Sequence, residues 1–156
     1  DNLPGWMDLF QIKGMLDRKL RLAMIFRGEA MPAINSSSIE VFMSYTLMLD
    51  ADGDPDTGIS GAEYSIRLLR LVARKPFLEL MIAGEAYKAN LTTRRFDELI
   101  CKFPGYLSGN IIAYTVPLSG IRLNEKARLL SLNPPLVTIT DYFPDGYFMG
   151  KWYSFP

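Results

Sequence analysis

The sequence contains no histidine and a single cysteine, Cys101. Without histidine, Ser-His and Cys-His catalysis and His-based zinc sites are excluded, because they need the imidazole as a general base or a ligand. One cysteine cannot form an internal disulfide. Its apolar neighbours Leu99, Ile100 and Phe103 predict a buried thiol.

A strong charge of either sign is also lacking, since 17 Lys and Arg residues balance 17 Asp and Glu residues. A general nucleic-acid binder needs a basic surplus, and so does a protein that attaches to an anionic membrane. No apolar run approaches the roughly 18 residues of a membrane-spanning helix. Residues 1–5 do not resemble a signal peptide, so an exported protein would have lost its signal before this point.

The length of 156 residues suits one domain, residues 1–156, and the dominant hydrophobic period is two. Apolar Leu20, Leu22, Met24 and Phe26 alternate with other residues, as in a half-buried strand. No long stretch has a helical period. We therefore predict an all-β fold, a two-sheet antiparallel β-sandwich of jelly-roll or Ig-like type.

The alternation and the turn residues predict where individual strands lie. Residues 13–17 are expected to form a turn, residues 95–102 fit a strand or a short helix, and residues 118–123 suggest one helical turn. The expected strands are residues 7–11, 20–26, 41–49, 64–69, 77–82, 86–91, 111–116, 128–132, 137–140 and 147–153.

An acidic loop follows the third expected strand, with carboxylates on alternate residues Asp50, Asp52, Asp54 and Asp56. Four like charges this close repel one another unless a cation lies among them. Calcium is the best candidate because it takes six to eight oxygen ligands with loose geometry. Glu63 could supply a further ligand from the next strand. The alternative is a solvated acidic turn without metal.

The loop is not an EF-hand, although it begins with the same Asp-x-Asp-x-Asp spacing. The sixth position of an EF-hand loop is Gly and the twelfth is Glu, whereas this chain has Pro55 and Gly61 there. A calcium site here must therefore belong to a loop between strands. Metal binding also explains these clustered carboxylates better than a glycosidase-type pair does.

Residues 45–58, YTLMLDADGDPDTG, followed by Gly-Ala-Glu-Tyr at 61–64, resemble a motif of extracellular β-sandwich modules. These modules are the DOMON-like and family-9 carbohydrate-binding-like domains of bacterial and archaeal surface proteins. Residues 6–9 and 112–119 are similar to an early and a late strand of these domains. The chain departs from the motif at Ala51, where Thr is usual, and at Glu63, where Asp is usual.

The resemblance implies a two-sheet sandwich, a secreted or cell-surface location and a non-enzymatic role. The leading hypothesis is therefore a calcium-stabilised module with a structural or adhesive role, including self-assembly into a filament or layer. The alternative that the resemblance implies is a carbohydrate-binding module. A haem-binding role is disfavoured because no histidine is available as an axial ligand.

The single glutamine, Gln11, and the excess of Arg over Lys would suit a heat-adapted protein.

The C-terminal part is dense in aromatic residues, which leaves three interpretations open: a last strand that closes the core, a surface for self-association, or a platform on which sugars stack. The candidate glycan-binding residues are Trp6, Tyr147 and Trp152. Asn35-Ser36-Ser37 and Asn90-Leu91-Thr92 match the acceptor pattern for N-glycosylation.

Overall fold

The computed structural model describes residues 9–16, 18–30, 40–74, 78–139 and 151–154, and their side chains at 13–16, 18–30, 44–70 and 81–130. Within these ranges the chain forms nine strands and no helix, which confirms the all-β prediction. The strands are β1 (Leu9–Leu16), β2 (Leu20–Phe26), β3 (Glu40–Asp50), β4 (Tyr64–Arg74), β5 (Leu78–Asn90), β6 (Arg95–Ser108), β7 (Ile111–Val116), β8 (Arg128–Ile139) and β9 (Lys151–Ser154).

All strand pairs are antiparallel, and their hydrogen-bonded order is β1-β2-β7-β6-β5-β4-β3-β8-β9. Strands β3 to β6 form a meander, in which each strand pairs with the next. The meander continues into β7, which pairs with β6 on one side and with β2 on the other, and β8 then pairs with the free side of β3. Among the described residues, no helix has the length and hydropathy to span a membrane.

Strand β6 changes partner along its length. Residues Arg95–Pro104 pair with β5, whereas residues Gly105–Ser108 pair with β7. Two groups of strands therefore meet in β6: β1, β2 and β7 on one side, and β5, β4, β3, β8 and β9 on the other. Pro104, which has no amide proton to donate to a ladder, is the last residue of β6 paired with β5 and lies at this change of partner.

The core lies between these two groups of strands. β2 alternates buried and more exposed residues, and its buried side chains belong to one cluster with those of β3, β4 and β7. The rings of Phe26 on β2 and Tyr45 on β3 meet edge to face, with centroids 6.2 Å apart. Four strands separate β2 from β3 in the hydrogen-bonded order, so the sheet must curve until the two strands face each other.

Two glycines allow aromatic rings to lie directly on the strands. Gly84 is paired with Phe103 and Gly105 with Tyr114, and a Cβ on either glycine would overlap the ring of its partner. The two rings contact each other at right angles, with centroids 6.2 Å apart. Aromatic cover of a strand glycine restores the packing that the missing side chain would have made.

The charged side chain of Arg70 on β4 lies in this core and is 2% exposed. It continues the inward alternation of Ile66 and Leu68, so the strand period places it there. Its guanidinium lies 5.2 Å from the centroid of the Phe26 ring, within the range of a cation–π interaction. Burial lowers the pKa of Arg70 to about 10.

Several local predictions need correction. Residues 13–16 continue β1, because Gly14 pairs with Leu22 instead of turning. Residues 118–123 contain no helical turn: residues 118–121 form a β-turn closed by a 3.0 Å hydrogen bond from Ile121 N to Leu118 O, and the φ of 86° at Gly120 is incompatible with a right-handed helix. Residues 78–90 form one strand in place of two, and residues 95–102 belong to a strand, as does the whole of 128–139.

Candidate metal site in the β3–β4 loop

The acidic loop connects β3 to β4, whose ladder closes at the pair Leu49 and Tyr64. Glu63 N donates to Leu49 O at 3.1 Å, which brings Glu63 beside the end of β3. Ile59 and Ala62 exchange backbone hydrogen bonds of 2.8 and 3.1 Å and form a tight turn within the loop. Gly61 has a φ of 80° in this turn, a conformation that glycine adopts without strain.

Asp50, Asp52 and Glu63 come together at the ends of the two strands. Each offers one carboxylate oxygen, and these three oxygens lie within 4.8 Å of one another. Asp50 is buried, and the other two side chains are half-buried. The three residues could therefore hold a metal ion. Asp54 and Asp56 are exposed and lie outside this cluster.

Thr57 is surrounded by more acceptors than it can satisfy. Its hydroxyl oxygen lies 2.6 Å from Glu63 Oε1, 3.0 Å from the Asp54 carbonyl oxygen, and 3.1 and 3.2 Å from Asp52 Oδ1 and Oδ2. A hydroxyl has one proton to donate, so most of these oxygens face Thr57 without a proton between them. The result is a concentration of oxygen atoms that carries excess negative charge.

Asp50 has a positive partner of its own. Its Oδ2 accepts hydrogen bonds from Arg128 Nη2 at 2.6 Å and Nε at 3.1 Å, and its Oδ1 accepts one from Gly53 N at 2.6 Å. Asp50 and Arg128 are directly opposed on β3 and β8. A charged carboxylate can be buried without a large energetic penalty when it is paired and hydrogen-bonded in this way. Arg128 therefore neutralises one of the three clustered charges.

Backbone amides orient the remaining carboxylates. Ala51 N donates to Glu63 Oε2 at 2.6 Å, and Asp54 N donates to Asp52 Oδ1 at 2.8 Å. Asp56 N donates in turn to Asp54 Oδ1 at 3.0 Å. Asp side chains that accept from the amide two residues later are typical of turns, and they shape this loop around its own carboxylates.

The loop is docked onto the segment that precedes β8. Asn124 donates from its backbone N to Ala51 O and from its side-chain Nδ2 to Asp52 O, both at 2.9 Å. Gly53, with a φ of 76°, lies against Lys126, and an added Cβ would come within 2.5 Å of the Lys126 Cβ. The carboxylate cluster thus depends on three parts of the chain: the end of β3, the start of β4 and residues 124–128.

The donor set limits the choice of metal. The cluster and the adjacent Thr57 and Asp54 carbonyl offer only oxygen atoms, which are the ligands of hard cations such as calcium and magnesium. Calcium tolerates irregular arrangements of carboxylate, carbonyl and hydroxyl oxygens, whereas magnesium demands a near-octahedral shell. The donor chemistry therefore fits a hard cation.

Sequence reasoning identified the carboxylates but missed Thr57 and Arg128 as members of the site. Thr57 could have been noticed because it follows the alternating aspartates directly. Arg128 is 78 residues from Asp50 in sequence, and no local signal connects the two. Cys101, expected to be buried, is only partly buried and packs against the edge of the core, and this burial raises the pKa of its thiol.

The candidate glycan-binding residues fall largely outside the described part of the chain. Trp6 and Tyr147 lie outside it altogether. Trp152 belongs to β9 and is paired with Leu130 of β8, but its side chain is outside the described set.

Comparison with known proteins leaves the family open. No protein-family model, no curated protein and no solved structure matches this chain. The resemblance of residues 45–64 to surface β-sandwich domains therefore stays a prediction.

Proposed function

We propose that the chain is a non-enzymatic, calcium-stabilised β-sandwich module of an extracellular or cell-surface protein, with a structural or adhesive role. The observation that carries the proposal is the convergence of Asp50, Asp52 and Glu63 at the ends of two neighbouring strands. In this proposal calcium acts on stability and on the order of the loop, and it takes part in no reaction.

The charge balance of the loop supports a bound cation. Among the described residues, Arg128 forms an ion pair with Asp50, one of the three carboxylates, and the oxygens around Thr57 outnumber the available protons. A divalent ion would offset the remaining charge and give these oxygens a common partner. Asp50, Asp52 and Glu63 would hold it, with Thr57 Oγ1 and the Asp54 carbonyl oxygen as further donors.

The position of the cluster indicates what the ion would do. Asp50 ends β3, Glu63 precedes β4, and Asp50 also binds Arg128 at the start of β8. A cation at the cluster would clamp these three elements together at one end of the sheet. Ion binding to the folded state alone stabilises that state by mass action, by about 2.7 kcal/mol at a free concentration one hundred times Kd.

The sandwich part of the proposal is supported by the change of partner in β6. The two groups of strands that meet there would be the two sheets, and the contact between Phe26 and Tyr45 would join their inner faces. The extracellular location is supported by the resemblance of the loop motif alone. Self-assembly would use the terminal strands β1 and β9, which pair with β2 and β8 on one side only within the described chain.

The first experiment measures thermal unfolding in excess chelator and in calcium at matched ionic strength. We expect calcium to raise the Tm by about 5 to 10 °C when its concentration is far above Kd, since roughly 2–4 °C corresponds to 1 kcal/mol in a domain of this size. Asp52→Asn and Glu63→Gln should remove most of the calcium response. Asp56→Asn is the matched control, because it removes an equal charge from an exposed position of the same loop.

Three outcomes decide the proposal. A Tm that is the same in chelator and in calcium, together with no heat of calcium binding, would overturn the metal site. Loss of the response in Asp56→Asn to the same degree as in Asp52→Asn would show general charge screening instead. Light scattering with and without calcium then tests self-assembly, and a monomer under both conditions would contradict the filament or layer role.

A further inference from the structure

The hairpin formed by β5 and β6 ends in an exposed turn that carries one of the two glycosylation patterns. Asn90 is the last residue of β5 and pairs with Arg95, the first residue of β6. The four residues between them are exposed, and Leu91 is 60% exposed. Asn90, Leu91 and Thr92 together satisfy the acceptor pattern Asn-x-Ser/Thr.

The two chemical groups that define an acceptor are both available at this turn. Asn90 Oδ1 accepts hydrogen bonds from Thr92 N at 3.0 Å and Thr93 N at 3.2 Å, while its Nδ2 donates to no residue in the described part of the chain. The Thr92 hydroxyl likewise has no partner there. Thr93 differs, because its hydroxyl donates to Asp97 Oδ2 at 2.8 Å.

We infer that Asn90 is an N-glycosylation site, an inference that rests on the extracellular location proposed above and adds a modification to it. The donor is an oligosaccharide on a polyprenyl diphosphate, and the catalyst is a membrane-bound oligosaccharyltransferase. A bond forms between Asn90 Nδ2 and C1 of the first sugar as the bond from C1 to the diphosphate oxygen breaks. The lipid diphosphate leaves with the electron pair, and a base of the transferase takes the amide proton.

The turn can carry a glycan without disturbing the fold. Asn90 is half-buried, residues 91–95 are exposed, and none of these residues belongs to the core cluster, so a sugar chain on Asn90 would displace no side chain of the core. The hydrogen bonds that shape the turn use Asn90 Oδ1, which the product retains as an amide oxygen. The attached sugars would also cover part of the Leu91 side chain, which is 60% exposed.

The test directs the chain through a glycosylating eukaryotic secretory pathway with an added leader and a flexible C-terminal tag that carries one reference acceptor. Because the leader supplies the export, a negative result would bear on Asn90 and not on the native location. Intact mass and peptide maps are recorded for the secreted protein and for the protein retained inside the secretory compartments, before and after enzymatic removal of the glycan. Ser37→Ala is introduced throughout, so that Asn35 cannot contribute.

We expect one glycan on the tag and one on Asn90, with aspartate found at position 90 after enzymatic removal. Asn90→Gln and Thr92→Ala should each lose the second glycan, Thr92→Ser should retain it, and Thr93→Ala should leave it in place. An occupied tag beside an unmodified Asn90 would overturn the inference. Loss of the glycan in Thr93→Ala but not in Thr92→Ala would also contradict it.

Discussion

Asp50 and Arg128 are cross-strand neighbours whose side chains form a two-donor ion pair, with Nη2 and Nε of the arginine 2.6 and 3.1 Å from the same carboxylate oxygen. The Asp50 side chain is completely buried, whereas the Arg128 side chain is 34% exposed. The pair therefore joins the acidic loop to β8 and leaves the guanidinium partly hydrated. Any calcium site here must operate beside this fixed positive charge.

Removing the guanidinium should destabilise the protein strongly. Arg128→Met leaves the carboxylate of Asp50 buried without its cationic partner, a loss that costs about 3–5 kcal/mol for a fully buried pair and falls at the lower end here because Arg128 is partly exposed. Urea unfolding measures the change. The matched variant Arg122→Met removes an exposed arginine from the segment before β8. It should change the free energy of unfolding by no more than about 0.5 kcal/mol, as is usual for surface substitutions.

The same variant also tests the metal site. If calcium binds beside Asp50, Arg128→Met should gain more stability from calcium than the parent protein does, because the ion then replaces the missing charge. A calcium response that is equal in the parent and in Arg128→Met would show that the ion and the arginine act independently. The free energy of unfolding in chelator and in calcium provides both values.

The period-two alternation was sufficient to predict the all-β class and most of the strands, because residue patterning alone determines which face of a strand is buried. The alternation failed to predict the local structure where pairing with a distant strand determines it. Residues 13–16 contain Lys13 and Gly14 and resemble a turn, yet pairing with β2 keeps them extended. Residues 118–123 have apolar spacing that suggests a helical turn, but the positive φ of Gly120 makes residues 118–121 a β-turn instead.

The candidate site was also predictable only in part, because some of its residues are marked by a local sequence pattern and others are brought in by long-range pairing. Alternate aspartates are a local signal, so Asp50 and Asp52 could be found by inspection. Which carboxylates converge depends on the turn between Ile59 and Ala62, which brings Glu63 back to the cluster and leaves Asp56 exposed. Arg128 could not be found, because only the register of β3 with β8 places it opposite Asp50.

Substitution of Gly53 should undock the acidic loop. In Gly53→Ala the new Cβ would overlap Lys126, and the φ of 76° would be strained for alanine. A left-handed conformation costs a non-glycine residue about 1–2 kcal/mol, and the overlap adds to this. We expect a lower Tm and weaker calcium binding. Gly109→Ala is the control, because Gly109 has a φ of 56° but open space around it, so it reports the cost of the backbone conformation alone.

The pairing of Gly84 with Phe103 should appear as strong coupling in a double-mutant cycle. Gly84→Ala forces a methyl group into the Phe103 ring, and overpacking of this kind costs about 1–3 kcal/mol. In a Phe103→Leu background the ring is gone, so the same alanine should cost less. Additive losses in the urea-unfolding free energy of the double variant would contradict the packing seen in the structure.

The hydroxyl of Tyr114 should limit stability at alkaline pH. The side chain is 1% exposed, its hydroxyl has no hydrogen-bond partner among the described residues, and burial raises its pKa well above the ordinary value of 10.0. Above pH 10 the unfolded chain loses this proton while the folded chain keeps it, so the unfolded state is favoured and stability falls as the pH rises. Arg70 opposes this trend: burial lowers its pKa to about 10, so the unfolded state binds the extra proton there and stability rises with pH above 10.

Tyr114→Phe separates the two contributions. At pH 7 it should leave stability unchanged or raise it, because it removes a buried hydroxyl without a partner, whose desolvation costs about 1–3 kcal/mol. Between pH 10 and 12 the variant should no longer lose stability through ionisation of Tyr114 in the unfolded state, but it should still gain stability through Arg70. Its urea midpoint should therefore exceed that of the parent by a margin that grows with pH. Tyr106→Phe is the control, because Tyr106 is 64% exposed and its hydroxyl is solvated in the folded protein. A margin that is constant with pH would show that the phenol of Tyr114 ionises equally in both states.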